Sequence, residues 1–402
     1  MTIGMITSYP PAGLKYAEGE RALSWYSANL MGELPAGDTS YVIYANRIAG
    51  EPATSAISSR VKIVRCWEPG LFAWLHILRK VKADRPDLVH VQHEIFQFGK
   101  GFAAFGPPLM ILLFKILRIP TVVTLHSVPP LQKIDRSFMK AYRVNAPPIL
   151  ARILFWSTIW PIATLADRLV VHAEEFVDSL KGPYHVPRLQ GRTTVIPLGV
   201  ESVSRGLGAQ EAKERLSVAG KSAILFFGNL TGYKGLEMLI DSMGLLKQDF
   251  PHLTLIVAGA DTPGIQVAGD RPYSVILKER AERVGADIRF TGFVRESDVQ
   301  LHFSAADLVV LPYTIALSSS GPFSLALAYE RPFIASTALG GIVASEDVLF
   351  EPSAAALADK IRRFMTDPGF REQMKAHSER LRQERSLARV AEQTFALYRT
   401  FG

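Results

Sequence analysis

Short apolar, β-branched runs alternate with helical stretches along nearly the whole of this chain, and the rhythm occurs twice. Strands are expected at Thr2–Ile6, Ser40–Tyr44, Leu88–Val91, Pro120–Leu125, Arg168–Val171 and Thr193–Ile196, with helices such as Glu20–Leu30, Leu71–Ala83, Leu109–Leu117 and Glu174–Leu180 between them. The second half places strands at Ala223–Phe227, Thr254–Ala258, Ile288–Phe290, Leu308–Leu311 and Pro332–Ala335. Such alternation calls for parallel sheets covered by helices on both faces. A chain of 402 residues has room for two domains of about 200 each, and the break falls near Pro197-Leu198-Gly199-Val200. The expected architecture is therefore α/β, with two doubly wound Rossmann-like domains facing a cleft. Their expected bounds are 1–198 and 199–385. Residues 386–402 form a terminal helix that packs back on the first domain or stays on its own. Open α/β sheets bind ligands beyond the C-terminal ends of their strands, so the site belongs in the cleft.

One loop in the second half points to the ligand. Ile224-Leu225-Phe226-Phe227 ends in Gly228-Asn229-Leu230-Thr231-Gly232-Tyr233-Lys234-Gly235, and an amphipathic stretch follows. A strand, a glycine-bearing loop, a lysine and a helix start aim backbone N–H groups and a cation at an anion such as a diphosphate. The same stretch also fits an ordinary βα turn with a surface lysine.

The bulk numbers narrow the classes. The apolar fraction is 48% and the charged fraction 21%, which argues against disorder. The net charge of +7 suits a nucleotide ligand or an anionic membrane surface, and is weaker than the concentrated basic patch of a nucleic-acid binder, so no nucleic-acid partner is expected. Cys66 is the one cysteine, so no intrachain disulfide forms. The N-terminus has no signal-peptide pattern. The apolar stretches 101–114 and 153–166 fall short of the roughly 20 residues of a spanning helix. A cytoplasmic protein without a transmembrane helix is expected.

Six segments in order resemble the family 4 glycosyltransferases of GT-B fold, which are retaining, nucleotide-sugar-dependent enzymes. Val195-Ile196-Pro197-Leu198-Gly199-Val200 is similar to the family's "VIPNGV", and Gly228 to Gly235 to its "GxL…KG" loop. Leu255-Ile256-Val257-Ala258-Gly259 resembles the next strand and its glycine. Phe290-Thr291-Gly292-Phe293-Val294 is similar to "FTGFV", Asp307 to Pro312 to "ADVVVLPS", and Pro332 to Ser336 to "PVIAS". The resemblance implies donor contacts from Gly13, Gly228, Asn229, Lys234, Gly259, Phe293 and Val294. It also implies a catalytic pair, His126 at the sugar and Lys234 at the leaving diphosphate. No metal or other cofactor is implied. The donor is a nucleotide-diphosphate sugar carrying a hexose, mannose or glucose, and the acceptor is a glycan or a lipid-linked glycan.

The chain departs from the family in three places. The family's two glutamates fall on Leu317 and Leu325, and the segment reads Ser318-Ser319-Ser320-Gly321-Pro322-Phe323. A serine–glycine loop opening a helix can bind diphosphate through N–H groups and hydroxyls, which brings in Ser319, Ser320 and Gly321. Alternatively, activity has been lost and the chain is a silent subunit that binds nucleotide or glycan and supports a partner. Asn229 stands where many members have arginine, so one charge-assisted bond worth roughly 1.5–3 kcal/mol is missing. Pro10-Pro11-Ala12-Gly13 replaces the usual glycine pair.

Two other features have competing readings. His126 ends a strand and serves either as the sugar contact or as a structural histidine bonded to a carbonyl. His90-Val91-Gln92-His93-Glu94 has no zinc spacing; His93 and Glu94 are weak acceptor-binding candidates or plain polar residues at the cleft rim. Glu174-Glu175 suits a helix N-terminus and receives no catalytic role. Apolar and basic residues mix around Trp74, around Leu112 to Arg118, around Phe138 and along Arg152 to Trp160. This fits peripheral association with an anionic membrane, on its inner face, or core-facing amphipathic helices.

Overall fold

The computed structural model describes the chain except residues 13–21, 36, 96, 100, 142–145, 204–205, 262–270, 317–318 and 402. Its first sheet has eight strands: β1 (Thr2–Ile6), β2 (Ser40–Asn46), β3 (Thr54–Ser58), β4 (Val61–Trp67), β5 (Leu88–His93), β6 (Thr121–Leu125), β7 (Arg168–Val171) and β8 (Thr193–Val195). Their spatial order is β3-β4-β2-β1-β5-β6-β7-β8. The second has six: β9 (Ser222–Phe227), β10 (Leu253–Ala258), β11 (Ile288–Gly292), β12 (Leu308–Leu311), β13 (Phe333–Ser336) and β14 (Leu349–Phe350), in the order β11-β10-β9-β12-β13-β14. All pairings are parallel except β3 with β4.

Three strands escape a reading by apolar runs. β4 carries Lys62 and Arg65 within its apolar residues, β3 is an exposed antiparallel edge, and β14 has only two residues. The 18-residue helix Pro148–Leu165 also exceeds the expected stretch. By length and composition it could cross a membrane. It is the crossover from β6 to β7, and Thr158, Ile159, Ile162 and Ala163 in its C-terminal half are buried.

Each strand order places a topological switch point. The first sheet reverses between β1 and β5, the second between β9 and β12. The loops leaving these strands part in opposite directions and open a crevice. That crevice is where the Gly228 loop and the His93–Glu94 corner emerge.

Helices 73–84, 106–116 and 148–165 supply one apolar cluster against the first sheet. The opposite face is covered by helix Ala22–Glu33 together with Val390, Ala391, Leu397 and Tyr398 from the terminal helix Leu387–Tyr398. The chain crosses between the sheets twice, and the crossings pair. Val200 N–H donates to Arg385 O at 2.7 Å, and Leu387 N–H donates to Val200 O at 3.1 Å. A Cβ on Gly199 would stand 2.6 Å from Leu387 Cδ2, so a side chain there would have to displace the leucine. Tyr398 anchors the return with its hydroxyl 2.6 Å from His90 Nδ1, while His90 Nε2 lies 2.7 Å from Thr124 Oγ1. Burial pushes the His90 pKa down to about 3, so the ring is neutral. Tyr398→Phe should cost about 1–2 kcal/mol in denaturant unfolding, the loss of one buried hydrogen bond with little change in packing.

Candidate active site

The second-domain half of the site is built by close backbone approach. β9 ends at Phe227 and is followed by Gly228, whose φ of +117° lies in the region that favours glycine. Its N–H donates to Ala258 O at 2.9 Å, and its carbonyl occupies the space beside Gly259. A Cβ at Gly259 would stand 2.0 Å from that oxygen. Gly259 therefore supports the loop from below. The chain then turns through Gly232–Lys234 into Gly235, with φ +65°, and starts the helix Leu236–Leu246.

Lys234 is not a surface residue. It is 7% exposed, and its Nζ lies 2.7 Å from where a Cβ on Gly228 would stand. Pro322 at the start of helix Gly321–Ala328 is 3.2 Å from the same point. No carboxylate pairs with Lys234 among the described residues, and burial pulls its pKa down to about 8. A buried ammonium without a counter-charge is costly, and an anion seated on the glycine loop would remove that cost.

Ser320 caps helix Gly321–Ala328. Its Oγ accepts from Phe323 N–H at 3.3 Å and lies 3.1 Å from the Tyr313 hydroxyl. The hydroxyl expected to reach a phosphate is thus occupied in the cap, and Pro322 has no N–H. The first helical turn offers an anion the Gly321 N–H. Leu325 is half-buried against the core, and Leu317, Ser318 and Gly13 lie outside the described residues. Asn229 and Phe293 are exposed, while Val294 packs against the core.

The first-domain half consists of strand-end residues of β5, β6 and β7. His172 Nδ1–H donates to Ile196 O at 2.8 Å, which leaves its Nε2 to accept from His126 Nδ1–H at 3.0 Å. His126 Nε2, 2.8 Å from Gln92 Oε1, then carries a lone pair, so this tautomer requires the Gln92 amide turned with its NH2 toward the ring. Burial and the neighbouring His172 hold the His126 pKa well below its ordinary value. Both ring nitrogens are thereby engaged by protein. In this arrangement neither ring nitrogen is left free for a sugar, because the strand ends pack His126 between His172 and Gln92. Glu94 accepts from Ser127 Oγ at 2.5 Å and from Ile95 N–H at 2.8 Å. It lies across the crevice from Tyr233, whose phenol pKa rises to about 12 through burial, with a contribution from Glu94. His93 is buried, and burial lowers its pKa to about 4.

Three residues that sequence reasoning did not assign to the site act here. Arg65, the buried one of two basic residues in an apolar strand, donates to the carbonyls of Tyr9, Pro10 and Asn46 and so holds the loop that leaves β1. Glu175 bridges the domains, its carboxylate accepting from Gly341 N–H at 2.8 Å. Asp178 joins Glu175, Pro130, Lys133, Ala316 and Thr337 around a cavity of about 280 Å³ between the two sheets. The Arg65 signal was a charge inside a β-branched run; Glu175 and Asp178 gave none, being ordinary helix residues in sequence. Among the described residues no group of three or more His, Cys, Asp or Glu is placed to hold a metal ion.

Comparison with known proteins bears on both halves. A family profile described as "Glycosyl transferases group 1" matches residues 221–367, and one described as "Glycosyltransferase Family 4" matches residues 24–202. An alpha-D-kanosaminyltransferase of Streptomyces kanamyceticus is 24% identical over 90% of this chain and 89% of its own. A mannosylfructose-phosphate synthase of Agrobacterium fabrum is 23% identical over 77% of this chain and 69% of its own. Among solved structures, a sucrose-phosphate synthase of Thermosynechococcus elongatus covers 100% of this chain and 98% of its own, with a TM-score of 0.72 at 18% identity. An Anabaena protein in complex with UDP-glucose covers 100% of each chain, with a TM-score of 0.66 at 16% identity. These superpositions show a shared fold, and the two profiles fall on the two sheets whose switch points form the crevice. On both counts the chain belongs to the family 4 glycosyltransferases and has the GT-B fold.

Proposed function

We propose that the protein is a retaining hexosyltransferase, moving mannose or glucose from a nucleotide-diphosphate sugar to a glycan or lipid-linked acceptor. The observation that carries this is the buried Lys234 ammonium under the Gly228 loop at a switch point, 5.8 Å from the centre of the Tyr313 ring and without a carboxylate partner among the described residues. In the reaction the bond from the sugar's anomeric carbon to the phosphate oxygen breaks. A bond to the acceptor oxygen forms on the same face, and the acceptor proton passes to the departing phosphate oxygen. Lys234 and the Gly321 N–H stabilise the charge that develops on the diphosphate, with Ser319 and Ser320 shaping the loop. Asn229 flanks the phosphates, Gly228 and Gly259 let the backbone approach, and Phe293 and Val294 lie toward the base. His126 acts at the sugar by position, closing the floor beneath it, and His93 and Glu94 face the acceptor. Lys234 supplies the charge that a metal would otherwise supply, so a metal-independent, cytoplasmic reaction is proposed.

The 280 Å³ cavity is the proposed entry for the acceptor, because both domains line it. Glu175→Ala should raise the acceptor KM several-fold and leave kcat nearly unchanged, since the lost hydrogen bond holds the domains together without touching the donor. An unchanged acceptor KM would show that the bridge is irrelevant to substrate.

A second reading, a catalytically silent subunit, is favoured by the apolar Leu325 at a family glutamate position. Thermal stabilisation by GDP, UDP, ADP and TDP without metal, followed by turnover with the matching sugars, separates the two. A ligand at 100 times its Kd adds about 2.7 kcal/mol of stability. Stabilisation by one base with turnover supports the enzyme, stabilisation without turnover supports the silent subunit, and no stabilisation removes the donor site.

A further inference from the structure

Twelve of the sixteen large apolar side chains that stand exposed among the described residues lie in three adjacent segments of the first domain, 71–72, 102–117 and 149–156. The topology explains why they meet. β4, β5 and β6 each hand the chain to a helix on the same face of the sheet, so all three helices start at the edge where His93 and His126 emerge. Phe72 at 60% exposure and Phe102 at 84% sit at two of these starts, and Ile149 and Ile153 at the third. Helix 148–165 starts at that edge, and its first half leaves Ile149, Ile153 and Trp156 exposed, although the Trp156 indole also donates to Tyr184 O at 3.3 Å. On helix 106–116 the stripe Leu109, Leu112 and Ile116 continues the apolar surface down the outer face.

Cations predominate around this surface, although Asp135 stands between Lys133 and Arg136 and the cavity beside Lys133 is also lined by Glu175 and Asp178. Lys133 and Arg136 near the crevice edge, and Arg79, Lys82 and Arg118 at the outer end, have no acidic partner among the described residues. The acids nearest the outer end are already paired, Asp84 with Lys80 at 3.0 Å and Asp167 with Lys115 at 2.9 Å. Aromatic and aliphatic side chains fringed by unpaired cations match the interface of an anionic bilayer, with apolar groups in the acyl boundary and cations at the headgroups.

We propose that this face seats the first domain on an anionic lipid surface with the crevice mouth at the membrane plane, so that the acceptor is a lipid-linked glycan delivered from that plane. The acceptor half of the proposal rests on the glycosyltransferase reading; the docking half does not.

Sedimentation of the full chain with vesicles tests it. Phosphatidylcholine vesicles containing phosphatidylglycerol should bind the protein, vesicles of phosphatidylcholine alone should bind it weakly, and added salt should release it. Phe102→Ser combined with Ile153→Ser should lower the partition about tenfold or more, with thermal unfolding unchanged because both side chains are exposed. Lys133→Glu combined with Arg136→Glu should abolish the preference for the anionic lipid. Wild-type protein left in solution, or binding indifferent to the Phe102 and Ile153 changes, overturns the proposal. So does a dimer in light scattering that those changes dissolve, which would assign the face to a second copy. Vesicle binding without nucleotide stabilisation would sink the transferase reading and leave the docking surface standing. Equal transfer to vesicle-borne and soluble glycans would remove the lipid-linked acceptor alone.

Discussion

Replacing Lys234 by methionine should abolish stabilisation by a nucleoside diphosphate while leaving the ligand-free protein at least as stable as the parent. The two effects have opposite signs for one reason. The Lys234 pKa falls from 10.5 to about 8 because the ammonium is buried, with no counter-charge among the described residues. That depression corresponds to about 3 kcal/mol against the folded state at neutral pH, and methionine fills similar volume without the charge. Since the folded pKa lies below the unfolded one, the unfolded chain binds more protons between about pH 8 and 10.5. Stability of the ligand-free parent should therefore rise with pH across that window, and the gap to Lys234→Met should close. Diphosphate binding runs the other way and should weaken as pH climbs through about 8, where the free protein loses its cation. Turnover in the variant should drop by about 10²–10³, the cost of removing one preorganised charge. Denaturant unfolding at pH 7 and pH 10, with and without the diphosphate, reads both signs. A variant that is several kcal/mol less stable without ligand would mean that Lys234 is a structural residue with a partner of its own.

Gly259→Ala should be among the most damaging single-methyl additions in the second domain, about 3 kcal/mol or more. Its Cβ would press at 2.0 Å on a backbone oxygen, that of Gly228, and at 2.8 Å on the carbonyl carbon. Neither can rotate away. Gly228 is held by its bond to Ala258 O, and Leu230 N–H donates to Ala260 O at 2.8 Å, so the loops move together or part. Either way Gly228 leaves its place above Lys234, and nucleotide stabilisation should vanish along with fold stability. Gly292 provides the control. Its φ of +75° strains an alanine, yet nothing stands within 4 Å of its Cβ position, so Gly292→Ala should cost only about 1 kcal/mol. Equal, small losses in the two variants would show that the loops are not locked as described.

Much of the second-domain half of the crevice was legible because it is local. A strand, a glycine turn and a helix start leave a pattern over a dozen residues, and Gly228, Lys234 and Gly235 fall where that pattern puts them. The first-domain half is assembled from residues far apart in sequence. His90, Gln92, Thr124, His126, His172 and Tyr398 form one buried set, and no spacing rule connects them. His126 shows the consequence: a family position located the residue at the end of β6, but only the packed neighbours reveal that both its nitrogens are engaged.

The sequence by itself determined the double α/β rhythm, the break near Pro197, the glycine–lysine loop and the apolar–basic character of the first-domain helices. Each is written in periodicity or in short-range backbone demands, which act before the chain closes on itself. Tertiary structure alone decided that Lys234 is buried with no counter-charge among the described residues, that Ser320 spends its hydroxyl on a helix cap, and that Glu175 reaches Gly341. It also decided which side of helix 148–165 meets the core and which is left outside. Burial and cross-domain contact depend on what the rest of the chain brings alongside, and a helix that is apolar all round does not declare which face will be covered.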